Sequence, residues 1–511
     1  MPARVLFIGL DSADAGLIDG WVDEGRLPNF ASLRESALAV PLTSSLETLP
    51  GAIWPEIHSG ISAGRLPLYF HPRQLHTGED TVRPIGAEEI DAETFFWIQA
   101  ARAGRAIAAV DIPQTVVVPG IDGIQITDWG SHDQFLPTAS EPRSLLGELR
   151  ERFGEYPVAQ CDAHARATVQ YESLLERLLR AARVKREMLS ELLARRQWDL
   201  FACTLSESHC VGHQFWHFGD ETHPWHDPVA AEHLRNAIRD VYVELDATVG
   251  RLLRESGGDC RGIVLASHGM GIYHRGTALL PEFLDRIGMS PTSSSALLRE
   301  VQPRYLVRHL PESTLPTLRA ISALPALRMV RRRFGGLRRP LESPRTRATA
   351  LENNRCGAIR LNIAGREPRG CVQPGAGAQR VIDEIRGELL ALRDCRDGRP
   401  IVDRVVTASE AFGADHHPDV PDLMVVFRTD GHPVERVRSP RAGEIRVPPI
   451  DPGSPRSGDH RVGSRAWLTG AATAPLADPT RPASVLDVAP TVLRWLGVEP
   501  ATRMDGRPLA D

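Results

Sequence analysis

The feature that most constrains this chain is the alternation of short apolar runs with stretches of helical periodicity. The apolar runs are RVLFIGLD, AIAAVDIP, WDLFACTLSES, GIVLASHGM and DLMVVFRT, each bounded by turn or polar residues as buried strands are. In the longest helical stretch, Leu174, Leu175, Leu178 and Leu179 share one face. Strands that alternate with helices predict an α/β fold, in which a mostly parallel sheet is flanked by helices on both faces.

Reactive side chains follow several of these apolar runs. Asp11, Glu207 and His209 come just after two of the runs, and Ser267 and His268 end a third. Parallel strands bring their carboxyl ends to one rim of the sheet, where loops converge without disturbing the core. We therefore expect these residues to gather at a common site.

The composition of the 511-residue chain excludes several classes of protein. A formal net charge of -5 gives no global attraction to nucleic acid, so we expect no nucleic-acid-binding module. No window approaches roughly 18 uninterrupted apolar residues, so we expect no membrane span. The seven cysteines lack C-x-x-C spacing, and the opening residues show no charged leader before an apolar stretch. Both features favour free thiols and a cytoplasmic location.

The segment 301–350 differs from its surroundings because it mixes leucines with proline and many arginines. It predicts a basic surface insertion or cap. A lid, a patch for anionic ligands and an amphipathic contact with a membrane surface are the alternatives. We therefore expect an α/β core in two parts, residues 1–300 and 351–511, with this segment between them and His460 in the second part.

Two residues near the N-terminus have both a catalytic and a structural interpretation. Asp11 ends the first apolar run, where its carboxylate would bind a metal or cap the following helix. Thr48 lies two residues before Pro50, at an expected helix start. A hydroxyl there meets free amides and the helix dipole, which suit an attacking alkoxide and its phosphate, although a plain N-cap threonine is the alternative.

Four histidines likewise have both a metal-binding and an ordinary structural interpretation. His209 and His213 are four residues apart, which places both imidazoles on one face of a helix, a frequent metal-binding geometry. His268 follows an apolar run, and His460 lies in a glycine-flanked loop. Each alone is typical of an ordinary surface or core histidine, but their joint occurrence indicates a metal centre.

These residues and a series of further motifs resemble the alkaline phosphatase superfamily, especially its type I phosphodiesterase/nucleotide pyrophosphatase branch. The motifs occur in the family's order and cover nearly the whole chain. They are GLDSAD, GRLPNFASLRE, TLPGAIW, VDIPQT, GHQFW, SHGM, LNIAGREPRG, VPDL, GDHR and VLDVAPTVLRWLG with DGRPL. The resemblance implies an alkaline-phosphatase-like core.

The resemblance also implies a chemistry. Family members use two metals, usually zinc, and a threonine or serine that attacks phosphorus to form a covalent phospho-enzyme. By position, Thr48 matches the nucleophile and Asp11 the first metal-ligand aspartate. His213, His268 and His460 match three further metal ligands.

The chain departs from the family at two carboxylate positions. His209 and Ser267 stand where the family has metal-ligand aspartates. His209, His213 and His460 would still form a three-histidine zinc site, to which Glu207 would add a carboxylate. The second site would keep only Asp11, His268 and Thr48 or Ser267, so we expect weak or absent occupancy there.

The spacing around the nucleophile also differs. The span from Thr48 to Trp54 is two residues longer than in many relatives, which leaves Ser44 or Ser45 as alternative nucleophiles. Arg366 and Arg461 are candidate substrate-binding residues, because guanidinium binds phosphate through two parallel hydrogen bonds.

We therefore predict metal-dependent hydrolysis of phosphate mono- or diesters through a phospho-threonine, with a small phosphate ester as substrate and zinc as the metal. One alternative is a binding protein or pseudo-enzyme with an altered site. Another is a phosphoryl- or sulfuryl-transfer relative, although the Cys-x-Pro-x-Arg pattern of sulfatases is absent. The oligomeric state stays open.

Overall fold

The computed structural model of the protein describes residues 3–66, 73–79, 82–131, 136–158, 168–290, 341, 343–429, 432–447, 456–470, 480–500 and 503–510. Most of the predicted basic segment 301–350 therefore lies outside the described residues. Among the described residues, no helix is both long enough and apolar enough to cross a membrane. The six cysteines in this part of the chain are free thiols, as predicted.

Strands and helices alternate along the chain. The strands are β1 Arg4–Leu10, β2 Leu38–Leu42, β3 Arg73–Gln74, β4 Arg83–Pro84, β5 Ile107–Val110, β6 Gly123–Thr127, β7 Ala139–Glu141, β8 Leu200–Leu205, β9 Cys260–Ala266, β10 Gly269–Ile272, β11 Ala348–Leu351, β12 Gly357–Leu361, β13 Arg393–Asp394, β14 Val402–Thr407, β15 Leu423–Phe427, β16 Arg436–Ser439, β17 Gly443–Arg446, β18 Gly458–Arg461 and β19 Ser464–Thr469. The helices are α1 Ala15–Asp23, α2 Pro28–Ser36, α3 Ile53–Ser59, α4 Phe96–Arg102, α5 Ser144–Phe153, α6 Thr168–Ala194, α7 Glu207–Gly219, α8 Glu232–Arg235, α9 Ala237–Ser256, α10 Leu280–Arg286, α11 Ala376–Leu390, α12 Ala408–Phe412 and α13 Val488–Trp495.

The central sheet has eight strands in the order β2-β19-β9-β1-β8-β5-β6-β7. The five strands from β9 to β6 are parallel, and β19 and β7 run antiparallel to their neighbours. Strand β1 shows why the sequence favours this arrangement. Leu6 and Ile8 pack into the hydrophobic core on one face, and Val5 and Phe7 pack into the core on the other. A strand buried on both faces needs the continuous apolar run found here, and the predicted α/β class is confirmed.

The run DLMVVFRT forms a strand, but it does not join the central sheet. It is β15, in a four-stranded antiparallel sheet of order β11-β12-β15-β14. Val425 contributes to one hydrophobic cluster and Met424 to another, so this antiparallel strand is also buried on both sides. Its sequence therefore looks the same as that of a parallel strand.

The order of three neighbouring strands creates the predicted rim. Strands β9, β1 and β8 lie side by side, and Ser267, Asp11 and Ser206 follow their respective carboxyl ends. A short antiparallel ribbon of β10 and β18 then brings His460 opposite Met270, two residues after His268. The sheet and the ribbon together collect residues from distant parts of the chain at one edge.

A buried ion pair supports this edge from below. Lys185, the only lysine of the chain, is fully buried on α6 and lies 3.0 Å from the Asp111 carboxylate through its Nζ. Asp111 in turn accepts hydrogen bonds from the main-chain amides of Trp129 and Gly130. Burial alone would lower the pKa of Lys185, but the carboxylates of Asp111 and Glu207 hold that pKa above its ordinary value.

Replacing Lys185 by methionine should lower the free energy of unfolding by about 3–5 kcal/mol, because the buried carboxylates would lose their compensating charge. Urea unfolding of the two proteins measures the difference. Arg34→Met is the matched control, since Arg34 pairs with Asp23 at the exposed surface and an exposed pair contributes about 1 kcal/mol or less. Equal losses in the two variants would contradict a supporting role for the buried pair.

Candidate metal centre

Three histidine side chains converge at the rim of the sheet. His209 and His213 lie one turn apart on α7, and His460 lies on β18. The Nε2 atoms are 2.8 Å apart for His209 and His213, and 3.1 Å apart for each of these with His460. All three residues are buried. Among the described residues, they form the one group of three or more side chains placed to share a metal ion.

The opposite ring nitrogens fix which way two of these imidazoles present their lone pairs. The His213 Nδ1 lies 2.7 Å from the Gly458 carbonyl oxygen, which only accepts, so Nδ1 carries the proton. The His209 Nδ1 lies 2.6 Å from Asp11 Oδ2. Both Nε2 atoms therefore direct lone pairs at a common point, and the Arg456 guanidinium lies 2.8 Å from the Nε2 of His213. The donor set fits a divalent cation, with a carboxylate and a carbonyl orienting the ligands as outer partners do in metal centres.

Asp11 orients His209 with one carboxylate oxygen and is itself held by Trp54 through the other. Oδ2 contacts His209, and Oδ1 accepts a hydrogen bond of 2.9 Å from the Trp54 indole. Trp54 reaches this position because Gly9 has no side chain; a Cβ there would lie 2.6 Å from the indole. Burial would raise the pKa of Asp11, but its interactions with His209 and Trp54 hold that pKa well below its usual range. Asp11 is thus an ionised partner of His209 and lies outside the three-histidine group.

His268 and Ser267 form a separate network beside the centre. The His268 Nε2 lies 2.7 Å from Ser12 Oγ, and its Nδ1 lies 3.0 Å from Ser267 Oγ. Ser267 Oγ also accepts a hydrogen bond from the Ser12 amide. Burial is the main cause that lowers the pKa of His268 to about 3. Both His268 nitrogens are therefore engaged by serine hydroxyls, although its ring centroid lies only 4.4 Å from that of His460.

Glu207 does not join the three histidines. It begins α7, but its Oε1 accepts a hydrogen bond from the Tyr156 hydroxyl at 2.9 Å, and its charge acts on Lys185. The first residue of a helix and a residue two positions later point in different directions. Its carboxylate therefore belongs to the buried network below the rim.

The candidate nucleophiles have hydrogen-bond partners of their own. Thr48 Oγ1 donates to the Ser45 carbonyl at 3.1 Å, and Ser44 Oγ accepts from the Leu46 amide at 3.4 Å. Ser45 Oγ donates to the Glu56 carboxylate at 2.8 Å. Burial raises the pKa of Glu56 to about 7, despite three hydrogen bonds to its carboxylate.

A cleft of about 600 Å³ opens above the metal centre. Its lining includes Asp11, Trp54, His209, His268 and His460. Pro50 and Gly51, from the segment that carries Thr48, also line the cleft, whereas Thr48 itself does not. Sequence reasoning missed the remaining lining residues, which are Ile53, Pro113, Gln114, Asp128, Ser131 and Asn354. Asp128 follows the carboxyl end of β6, so the strand-end rule that selected Asp11 also applies to it.

The two predicted substrate arginines have different surroundings. Arg366 is held by Glu367 and, through two nitrogens, by Asp422 at 2.6 and 2.7 Å. Its guanidinium is paired with these carboxylates, and its expected role in binding substrate stays a prediction. Arg461 follows His460 on β18, and its side chain covers Gly271 across the ribbon. It is not among the residues that line the cleft, and its expected role in binding substrate stays a prediction.

Comparisons with known proteins agree with this architecture. The pattern of the family described as type I phosphodiesterase / nucleotide pyrophosphatase matches residues 5–446. The chain belongs to this family. Membership makes it a phosphodiesterase/pyrophosphatase-family hydrolase of phosphate esters, as the motif order predicted. No curated protein matches it in sequence.

Solved structures resemble this phosphodiesterase-family chain over almost their whole length. The crystal structure of phosphonoacetate hydrolase from Sinorhizobium meliloti 1021 with phosphonoformate shares 14% identity, with coverage of 97% of this chain and 95% of that chain and a TM-score of 0.52. Murine ectonucleotide pyrophosphatase/phosphodiesterase 5 shares 13% identity, with coverage of 98% and 96% and a TM-score of 0.47. At this identity, the similarity to the phosphonoacetate hydrolase shows the fold alone.

Replacing Asp11 by asparagine should weaken zinc binding by roughly 10- to 100-fold, the usual cost of losing the outer partner of a metal-ligating histidine. The amide keeps a hydrogen bond to His209 but loses the negative charge. Competition with a chromophoric chelator measures the affinity, and the absorption spectrum of the cobalt-substituted protein reports the ligand set. We expect that spectrum to be retained in Asp11→Asn.

His233→Ala is the control, because His233 is half-exposed and pairs with Glu172 away from the centre. It should leave zinc affinity unchanged. A changed cobalt spectrum in Asp11→Asn would instead identify Asp11 as a direct ligand.

Proposed function

We propose that this hydrolase cleaves phosphate esters in the cleft with one divalent cation, preferably zinc, held by His209, His213 and His460. The convergence of their three Nε2 atoms within 3.1 Å is the observation that carries the proposal. Three histidines with an open fourth position are a donor set of catalytic zinc centres. When bound, the cation supplies Lewis-acid polarisation and positive charge for the phosphoryl group.

The protein's own residues hold the centre ready for substrate. Asp11 keeps the proton on His209 Nδ1, and the Gly458 carbonyl keeps the proton on His213 Nδ1. Trp54 fixes the Asp11 carboxylate from its other side. Asn354 lines the cleft near His460, where its amide suits a phosphoryl oxygen. These orientations support the chemistry because groups placed before the reaction need no rearrangement during it.

A single cation fits the residues that replace the family's carboxylates. Ser267 offers a neutral hydroxyl, which neither balances divalent charge nor binds a hard ion strongly. His268 already has serine partners at both nitrogens, and Asp11 is used by His209 and Trp54. We therefore propose that a second cation binds weakly or not at all.

The covalent route is part of the proposal and comes from the family resemblance. The Thr48 oxygen would attack phosphorus, the ester oxygen would leave with its electron pair, and water would then hydrolyse the phospho-threonine. Thr48 Oγ1 donates to the Ser45 carbonyl, so this route requires the segment to release that bond and turn the hydroxyl into the cleft. The route stays a prediction.

Hydrolysis of p-nitrophenyl phosphate and bis-p-nitrophenyl phosphate tests the proposal, with zinc or manganese added to protein stripped of metal. We expect turnover that depends on the added metal and falls at least about 100-fold in His213→Ala, because two imidazoles hold the cation poorly. Metal analysis of the same variant should show lost binding. Metal-independent turnover in the stripped protein would contradict the proposed centre.

Thr48→Ala and Thr48→Ser separate the covalent route from metal-dependent hydrolysis. Loss in the alanine variant with partial rescue by serine supports attack by the hydroxyl. Full turnover in Thr48→Ala together with loss in His213→Ala would reject the threonine route and retain the metal centre. No metal binding and no turnover in the unmodified protein would favour the altered-site binding protein.

A further inference from the structure

The turn that carries Thr48 is organised around one main-chain oxygen. The Ser45 carbonyl accepts hydrogen bonds from the Thr48 amide at 2.8 Å, from the Leu49 amide at 2.7 Å and from the Thr48 hydroxyl at 3.1 Å. Leu49 is fully buried, so the turn is anchored in the core just before Pro50 and Gly51 reach the cleft. The orientation of the Thr48 hydroxyl therefore depends on the position of the Ser45 carbonyl.

Ser45 is in turn held by Glu56, a buried residue of α3. The Glu56 Oε2 accepts hydrogen bonds from the Ser45 hydroxyl at 2.8 Å and from the Ser45 amide at 3.2 Å. Its Oε1 accepts a third hydrogen bond, at 2.9 Å, from the Ala63 amide. One carboxylate thus ties the start of the turn to helix α3 and to the chain that follows this helix.

The loop between β11 and β12 holds the same turn from another side. The Asn353 side-chain amide donates to the Thr48 carbonyl at 2.7 Å, and the Cys356 thiol donates to the Leu46 carbonyl at 3.3 Å. Both contacts are made with main-chain oxygens, so they fix the backbone of the turn and not the Thr48 side chain. Rotation about the Thr48 Cα–Cβ bond breaks the hydroxyl's hydrogen bond to Ser45 and leaves these backbone contacts in place.

Glu56 is a buried carboxyl that lacks a cationic partner. Its exposed fraction is 3%, and among the described residues no arginine, lysine or histidine pairs with it. Burial raises its pKa to about 7, and the nearby carboxylate of Asp505, which itself pairs with Arg65, acts in the same direction. Burying an unpaired carboxylate costs stability. A carboxyl kept at this cost against the nucleophile turn points to a role in the reaction, because perturbed groups concentrate at functional sites.

We propose that Glu56 is a positioning residue for Thr48: its carboxylate fixes Ser45, and the Ser45 carbonyl fixes the turn from which the Thr48 hydroxyl attacks. The inference deepens the proposed function and rests on its threonine route. The ionised carboxylate accepts all three hydrogen bonds at once, whereas the protonated carboxyl carries a hydrogen on one of the accepting oxygens. The turn is therefore held best at a pH above the pKa of Glu56.

The variant Glu56→Gln tests this role, because the amide has the size of the carboxyl but never its charge. With bis-p-nitrophenyl phosphate and added zinc, kcat at pH 8 should fall roughly tenfold or more, as expected when charge-assisted hydrogen bonds are lost. KM and zinc affinity should stay unchanged, since the three histidines are untouched. The ratio of kcat between the unmodified protein and the variant should approach one at pH 6, where protonated Glu56 resembles glutamine.

The matched control is Glu24→Gln, because Glu24 is an exposed carboxylate at the end of α1. It should leave kcat unchanged at both pH values. Loss of zinc binding in Glu56→Gln, or a kcat ratio that does not change with pH, would overturn the proposal.

Urea unfolding separates positioning from structural support. A carboxyl whose pKa is raised by folding destabilises the folded state above its ordinary pKa, because only the unfolded chain ionises it without cost. At pH 8, Glu56→Gln should therefore keep or raise the free energy of unfolding while kcat falls. A fall in both quantities would assign Glu56 to structural support and overturn the positioning role.

Comparison with Thr48→Ala separates failure of this inference from failure of the proposed function. Lost turnover in Thr48→Ala together with full kcat in Glu56→Gln at pH 8 would reject the inference and retain the threonine route. Full turnover in Thr48→Ala would reject the threonine route, and with it the role of Glu56. In the double variant, Glu56→Gln should add no loss to that of Thr48→Ala, because both changes affect the same step. A further loss would show that Glu56 acts elsewhere and would also overturn the proposal.

Discussion

The site depends on the meeting of three buried imidazole nitrogens, two of which present lone pairs to the others. Hydrogen bonds to Asp11 and to the Gly458 carbonyl leave the Nε2 atoms of His209 and His213 unprotonated. In a buried environment such lone pairs repel, and burial together with the neighbouring charges lowers the pKa of His460 well below its usual value. Protonating these imidazoles is therefore costly, whereas one divalent cation would bind the three Nε2 nitrogens together. Arg456, whose Nη2 lies 2.8 Å from His213 Nε2, shows that positive charge is favoured at this point.

The family resemblance places aspartates at positions 209 and 267, where this chain has a histidine and a serine that give the neighbouring residues other roles. An aspartate at position 209 would bind a cation directly, but the longer imidazole of His209 reaches the other histidines and gives its second nitrogen to Asp11. Asp11 thereby supports His209, and its other oxygen is held by Trp54. On the opposite side, Ser267 bonds the Ser12 amide and His268, which forms a neutral network in place of a charged one. The substitutions at 209 and 267 are thus linked through Asp11 and Ser12, which are adjacent in the chain.

Much of this arrangement can be predicted from the sequence, because parallel strands buried on both faces need continuous apolar runs and place the residues after their carboxyl ends at one rim. That rule predicts the positions observed for Asp11 and Ser267, and helical spacing predicts that the side chains of His209 and His213 lie together. Ion pairing across the fold is harder to predict, because it joins residues that are distant in the sequence. Arg366 has the chemistry of a phosphate ligand, yet Asp422, 56 residues away, holds it. Glu207 is two residues from His209, but its direction is set by Tyr156 and the buried Lys185 network.

Lys185 and Arg355 both place positively charged nitrogens in the interior, but only the charge of Lys185 is neutralised there. Lys185 is completely buried, pairs with Asp111 and donates to the Gly130 carbonyl, so its charge is neutralised within the fold. Arg355 has a buried Nη1 donor that finds no partner in the described part of the chain, and it lines a cavity beside the metal centre. A protein that neutralises one buried cation so completely has no stability to gain from leaving another unsatisfied. Pairing therefore separates a buried charge that stabilises the fold from one whose unpartnered donor faces a cavity.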